Sequence, residues 1–499
     1  MKKFILLMLA VSLAALPVLS CAADEGGDIP GIPGDPVGAD ENLYTDPEGA
    51  ENGEDGAEPD FPDLPDIHFG GYAFRIINVG EAHVSPVLTT FVVEQETGEA
   101  LNDAVFRRNR RMEEQFGFTL AHIDVAGPGP ARDMAQRSIQ AASDDFDLAM
   151  MQPGHALSLA QEGMLEMLDS VPHIDLSAPW WDGDMVRDFS IGNRVFFASS
   201  DATFNHYSAT MGIFFNKQMH AELGLDDPYE LVNEGRWTLD RFGEMGRAAL
   251  RDLDGDGVFD HNDQWGLVSF PHVYAIAILG GIGARYVVKD ADDLPEFNLN
   301  TEGFISRFHT AFDILTEGWL FNPQPPPAAV DPIHRDMFLN NRALFWIDLL
   351  NWATVLRAMD NDFGILPAPK LDEQQEHHIS GVGLPHVMTI PVTTADLERT
   401  GIILEALSAE SRRSTLTVYY DTMLVNQIMN RDEESAEMLD IIFANRVYET
   451  GRQFWTVNIA NPVSNAMRDG NREIVSIIER NEPAAVTGIQ NVIDAFLAN

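Results

Sequence analysis

The sequence predicts an α/β fold organised as two lobes, and three observations lead there. A βαβαβ pattern opens the folded region. Roughly 430 residues follow the low-complexity start of the 499-residue chain, more than a single core usually supports. The hydrophobic content of 45% and aromatic content of 9% are ordinary for a globular protein. The one cysteine, Cys21, lies outside this region, so no disulfide is available and the core must hold by packing.

Tyr72–Val79 is rich in β-branched and aromatic residues and ends at Gly80, so it reads as a buried strand. A helix follows, with Asn102 as its expected N-cap, Leu101, Val105, Met112 and Phe116 near one face, and Gly117 placed to stop it. Residues 119–125 form the next strand, and a helix over 131–142 and a strand over 147–151 complete the pattern. Alternation of this kind implies a parallel sheet with helices on its faces, and ligands bind such sheets at the carboxyl ends of strands. The loop from Gln152 to His155 is at such an end. A strand over 195–199 and a second-lobe strand over 211–215 come next. Phe304, Ile305, Phe308, Phe312 and Leu315 make a helical stripe closed by Gly318, which reads as core rather than a binding box. A strand over 343–347 ends at Asp348, and the Pro-rich run 323–332 reads as a loop.

The beginning of the chain has a different character. Met1, Lys2 and Lys3 give a positive start, residues 4–16 an apolar stretch, and Val18-Leu19-Ser20-Cys21 resembles a lipobox, in which the cysteine takes a diacylglycerol. Residues 1–20 then form a lipoprotein signal peptide, and the mature chain starts at Cys21. Several acyl chains give stable anchoring where one is marginal. The alternative is a non-lipidated secretory signal with an incidental cysteine. A membrane span needs about 20 apolar residues, and this run is shorter and broken by Pro17. Residues 21–68 are rich in Gly, Pro, Asp and Glu, with few large apolar residues and no Lys or Arg before Arg75, so they read as a disordered acidic tether. It would hold the folded part about 40 Å from the extracellular face of the membrane.

The formal net charge is −46, from 78 Asp+Glu against 32 Lys+Arg, which repels phosphate backbones and argues against nucleic-acid binding. No Lys precedes Ser or Thr, so a phosphate-cradling Gly-x-x-x-x-Gly-Lys-Ser/Thr loop is absent, as is His-Glu-x-x-His.

Several segments together, Leu101-Asn-Asp-Ala-Val-Phe-Arg-Arg-Asn109, Phe214-Phe-Asn-Lys217, Gly235-Arg-Trp-Thr-Leu239 and Phe363-Gly-Ile-Leu-Pro-Ala-Pro-Lys370, resemble the extracellular solute-binding proteins of ABC importers, in the group of maltose-type sugar receptors. Tyr419-Tyr-Asp-Thr422 and the run from Arg431 to Asp440 resemble a lipoprotein branch of it. The resemblance implies a two-lobed periplasmic-binding-protein-like (type II) fold, with a first lobe over 69–205 and a second over 206–499 that returns to the first lobe and the hinge. It implies a monomeric, non-enzymatic receptor that closes on a small solute, a carbohydrate by preference, and delivers it to ABC permease subunits. Two other readings stay open. A surface glycoside hydrolase would need two carboxylates about 5–9.5 Å apart in a cleft, and a sensing or adhesion protein would keep the fold without transport.

The sharpest local motif is the acidic loop from Asp252 to Asp263. Asp252, Asp254 and Asp256 stand at calcium-loop positions one, three and five, Gly257 at the turn, the Val258 carbonyl at seven, Asp260 at nine and Asp263 at twelve. The shorter Asp263 replaces the usual Glu. Structural Ca2+ is the expectation, against an acidic exposed turn. His377 and His378, adjacent in a loop, make a poor metal pair.

Sugars present apolar faces and hydroxyl rims, so receptors combine aromatic platforms with planar polar groups. The candidates are Trp352, Asn351 and Asp348 beyond a second-lobe strand, and Gln152, His155 and Asp201 after first-lobe strands. Trp265 follows the acidic loop, and the Gly381-Val-Gly383 loop offers backbone groups. Each has packing as its alternative. Trp237, before the expected helix cap Thr238, reads as core, and Trp180 and Trp181 as cover for the hinge.

Overall fold

Alternation within the longer strands builds the framework, because each strand puts successive side chains on opposite faces. The computed structural model describes residues 61–79, 91–323, 332–356, 359–383, 385–421 and 434–498. The signal segment 1–20, Cys21, the tether up to residue 60, Gly80, most of the Pro-rich run, Thr422 and residues 431–433 lie outside the described residues. The strands are, in chain order, β1 (Tyr72–Val79), β2 (Phe118–Val125), β3 (Leu148–Met151), β4 (Met211–Asn216), β5 (Trp265–Val268), β6 (Val287–Lys289), β7 (Pro295–Phe297), β8 (Leu320–Phe321), β9 (Ala343–Leu349), β10 (Phe363–Leu366), β11 (Ser380–Gly381), β12 (Val387–Thr389) and β13 (Arg446–Val447).

The first sheet has the order β12-β3-β1-β2. β1 pairs in parallel with β2 and β3, as the βαβαβ pattern predicts, and β12 returns antiparallel to β3. Phe74, Ile76, Leu148 and Met150 face one hydrophobic cluster, with the helices Ala100–Phe116 and Leu397–Arg413 over them. Ile77, Val79, Ala149 and Met151 face the other, under the helix Pro128–Gln140. Burying each large apolar side chain contributes about 1.5–3 kcal/mol.

The second sheet has the order β10-β4-β9-β5-β8. β4 runs antiparallel to both β9 and β10, while β5 is parallel to β9 and β8. Phe214 and Trp346 face one cluster, and Ile213, Phe215, Phe345 and Ile347 the opposite one. Two small pairs, β6 with β7 and β11 with β13, complete the strands among the described residues. No described helix is long and apolar enough to cross a membrane.

Several details differ from the sequence reading. Asn102 does not cap its helix, which begins at Ala100 after Glu99. Asp103 reaches back instead and accepts from the N–H of Thr97 at 2.8 Å, so the first turn is held from inside. The second helix starts at Pro128, because proline fits a first turn whose N–H needs no partner. Residues 195–199 make only isolated bridges, Ala198 to Met388 and, next in the chain, Ser200 to Trp181, since their backbone meets each neighbour at a single point. The stripe helix stops at Thr316, two residues before the positive-φ Gly318. β9 continues through Leu349, so Asp348 sits inside the strand opposite Gly212.

Trp237 is completely buried, as the sequence suggests. Trp180 and Trp181 belong to the first-lobe core, where their indole N–H groups donate to the two Glu405 carboxylate oxygens at 2.9 Å each. Burial pushes Glu405 up to about 7 despite those donors.

Candidate functional site

Two segments that cross between the sheets position the candidate residues. One runs from Asp201 into β4, and the other from β11 to β12. They are stitched together: the N–H of Gly383 donates to the Ala209 carbonyl at 2.8 Å, and the N–H of His386 donates to the Asn205 side chain. The turn after β9 joins them, with the Leu350 N–H donating to the Thr210 carbonyl at 2.8 Å.

On the first-lobe side, β3 ends at Met151 and Gln152 precedes the helix Pro153–Gln161. Gln152 and His155 line a cavity of about 390 Å³ together with Gly383, Pro385, Arg452, Gln453 and Thr456. Pro153 and Gly154 complete its described lining. Gly154 approaches closely there, since a Cβ would lie 3.1 Å from the Gln453 carbonyl oxygen. Burial pulls the His155 imidazole below its ordinary value, and Arg132 adds to that. His386 is 1% exposed, has no hydrogen-bond partner at either ring nitrogen, and is pulled down to about 4 by burial and by His155.

On the second-lobe side, Asp348 shares the face of Trp346 and is 7% exposed. Burial pushes it up to about 7, although the N–H of Leu349 and the indoles of Trp352 and Trp346 pull the other way. Asn351 is buried with neither its amide nitrogen nor its amide oxygen partnered. Trp352 is partly buried, with its ring 5.9 Å from that of Trp346. Both lobes therefore bring predicted polar residues to the crossing segments.

Asp201 is placed differently. It is buried, and its two carboxylate oxygens accept from Tyr207 at 2.9 Å and Arg412 at 3.2 Å. Burial still pushes it up to about 6. It belongs to a polar cluster with Asp182, His206, Arg446 and Tyr448. Asp182 accepts from the Tyr448 hydroxyl at 2.6 Å and pairs with Arg446 at 3.1 Å. Burial raises Asp182, but Arg446, His206 and Tyr448 outweigh it and hold the group below its ordinary value. His206 is pulled down to about 3 by burial. Asp201 thus braces the crossing and is not among the residues lining the cavity.

Trp265 lies on β5, away from that cavity. Its indole N–H donates to the Asp260 carbonyl at 2.7 Å, and its ring packs edge-on to Phe259 and Phe321. It borders a separate cavity of about 900 Å³ with Tyr274, Asn322 and Arg468.

In the acidic loop, Asp252, Asp254 and Asp256 each bring an oxygen within 4.8 Å of the others. The N–H of Asp256 lowers Asp254, but desolvation and the neighbouring carboxylates leave it above its ordinary value. Asp263 turns inward. Its oxygens accept from the N–H groups of Asp260 at 2.8 Å and Leu253 at 2.9 Å, which lower it. The Val258 side chain is exposed, and the Asp260 carboxylate accepts from the N–H of Asn262. His378 is buried against the Ala368 carbonyl while His377 is exposed, so they form no shared site.

Arg452 and Gln453 were not legible as cavity-lining residues. Arg452 and Gln453 sit on a four-residue helix, Thr450–Gln453, with no motif around them. Only its packing against the crossing segment, where Gln453 donates to the Val382 carbonyl at 3.0 Å, brings them to the cavity.

The chain matches no protein-family model and no curated protein in sequence. Solved structures do match. The cyclic α-maltosyl-1,6-maltose binding protein from Arthrobacter globiformis aligns with a TM-score of 0.57 at 12% identity, over 85% of this chain and 100% of that one. An ABC substrate-binding protein from Listeria monocytogenes in complex with cycloalternan aligns at 0.53 and 10% identity, over 84% and 99%. UgpB from Mycobacterium tuberculosis in complex with glycerophosphocholine aligns at 0.53 and 14% identity, over 85% and 99%. The chain has the two-lobed periplasmic-binding-type fold, and these identities carry the fold alone.

Proposed function

We propose that this chain, a two-lobed protein of the periplasmic-binding type, is a non-enzymatic receptor that captures a small solute, a carbohydrate in class, and delivers it to an ABC permease. The carrying observation is that both lobes align over nearly the whole length of structures whose ligands include cyclic sugars. The buried, unpartnered amide of Asn351 beside Trp352 supports it, since an amide and an indole suit hydroxyls and an apolar sugar face. Closure follows if the solute binds the closed state more tightly than the open one. The test is incubation of the purified protein with a glycan library. The expected result is a saccharide bound unchanged, a more compact particle in X-ray scattering, and binding weakened by about 1 kcal/mol or more in Trp352→Ala. Cleaved sugar would favour a glycoside hydrolase, and binding without compaction would remove the closure mechanism.

The anchoring reading extends this. Lipid on Cys21 would tether the receptor outside the cell, with the acidic segment behind it as a spacer. Cys21→Ser is expected to move the protein from the membrane fraction to the medium; tight membrane association after a salt wash would overturn the anchor.

The acidic loop is proposed to hold a structural calcium ion. Asp252, Asp254 and Asp256 would supply its carboxylates, with the Val258 carbonyl and Asp260 as further donors. Asp263 accepts from two backbone N–H groups, as Asp252 does from Gly255 and Gly257, and stands as the donor at position twelve. A ligand that binds only the native state stabilises it by mass action, so calcium is expected to raise Tm and chelator to lower it. Asp254→Asn should abolish the difference. Superimposable melting curves would leave the loop an acidic turn.

A further inference from the structure

The cavity at the end of β3 has a lining that the composition of the chain makes unexpected. With 78 Asp+Glu against 32 Lys+Arg, a random patch of this surface carries carboxylates. The described residues around this cavity include none. They supply the Arg452 guanidinium, the His155 imidazole and the Gln152 and Gln453 amides.

Arg452 pairs with no carboxylate among the described residues. Its Nε is buried without a partner, and Nη2 reaches only the Gly383 carbonyl, at 3.4 Å. Its neighbour in sequence, Glu449, is turned away. One Glu449 oxygen accepts from the N–H groups of Gly451 at 3.2 Å and Val287 at 3.3 Å, and the other faces Arg285 at 3.9 Å. Asp133, whose charge acts on His155, is paired with Arg132 at 2.8 Å. His386, beside His155, keeps both ring nitrogens unpartnered while almost fully buried. The nine-residue helix Pro153–Gln161 points its N-terminus at the same place, and no side chain caps it.

A half-buried guanidinium whose Nε is buried without a partner is only partly compensated for its desolvation, and an anion joining it would complete that compensation. Planar guanidinium groups take carboxylate or phosphate through paired hydrogen bonds, and helix N-termini add partial positive charge. We propose that this cavity binds an anionic oxygen group of the solute, so that the receptor takes a sugar acid or a sugar phosphate in preference to a neutral sugar. This rests on the receptor reading above. Arg452 neutralises the anion, and Gln152 and the His155 imidazole donate to its remaining lone pairs.

Calorimetric titration of the full mature chain with glucuronate, glucose 6-phosphate, glucose and maltotriose tests this. At least one charged sugar is expected to bind about tenfold or more tightly than glucose, the scale of a charge-assisted contact. A glucuronate preference assigns a carboxylate and a glucose 6-phosphate preference a phosphate. Arg452→Gln should abolish the preference, and Arg452→Lys should restore part of it in a variant that keeps the charge if the glutamine variant folds poorly. Maltotriose binding as tightly as the charged sugars, with Arg452→Gln unchanged, overturns the anion site and leaves the receptor reading standing. Absence of binding by any of the four, together with no hit in the glycan library, overturns both.

Discussion

Arg446→Met is expected to lower folding stability by about 3–5 kcal/mol at neutral pH, the scale for removing one partner of a buried ion pair. Arg446 is 8% exposed, and Nη2 lies 3.1 Å from Asp182, whose own side chain is completely buried. Its guanidinium also stacks 4.7 Å from the Tyr207 ring centre. Methionine keeps most of the volume and removes the charge. In the native protein the balance of burial against Arg446, His206 and Tyr448 holds Asp182 below its ordinary value. Such a group contributes stability above its unfolded pKa and loses it as pH falls. Without Arg446, burial dominates and the folded pKa rises above the unfolded one, so stability is lost as pH rises. The cost of the substitution should therefore grow from about pH 4 to about pH 8. Urea denaturation at both pH values measures it. An equal cost at both would assign the loss to packing, and adding Asp182→Asn should recover part of it only if the stranded charge is the cause.

Trp237→Ala is expected to cost about 3–5 kcal/mol by a different route, the cavity left by a large aromatic. Trp237 lies between the helix Leu239–Ala249 and the second sheet, with its ring centre 5.9 Å from that of Phe242 and 6.1 Å from that of Phe345. Its indole N–H donates to the Pro367 carbonyl at 3.0 Å, so truncation also strands a buried acceptor. Lys370 donates to the Trp237 carbonyl at 3.1 Å, which pins the segment after β10 to the start of this helix. Trp237→Phe should recover much of the packing and not the hydrogen bond. Thermal unfolding of the three proteins decides it. A loss under about 1 kcal/mol in the alanine variant would mean that the site collapses around the truncation.

The contrast between these tryptophans and the proposed cleft shows which features local sequence carries. Trp237 was legible as core because it adjoins a helix start with an apolar face. β1 was legible to the residue because its β-branched and aromatic composition and the glycine that follows it are properties of a short stretch of chain. Gln152 and His155 were legible because a short buried strand ends immediately before them. Asp201 satisfied the same strand-end criterion, yet its carboxylate is taken by Tyr207 and Arg412, the latter 211 residues further along the chain. Trp265 is adjacent to the acidic loop as expected, but its indole N–H is used by that loop.

From the sequence alone follow the α/β class, the first βαβαβ unit, the apolar faces of the long helices, the acidic composition and the spacing of the acidic loop. Each is a periodicity or a composition, set by how a chain segment relates to its own axis or to water. Tertiary structure decided which strand ends meet a cavity, which carboxylates are already neutralised, and which cation is left without a counter-ion. Those properties depend on contacts between residues far apart in sequence, such as the His386 N–H on Asn205, 181 positions away. The free energy of a buried charge depends on the nearest few ångströms of protein, and residues that distant in sequence enter that shell only when both lobes have folded around their crossings.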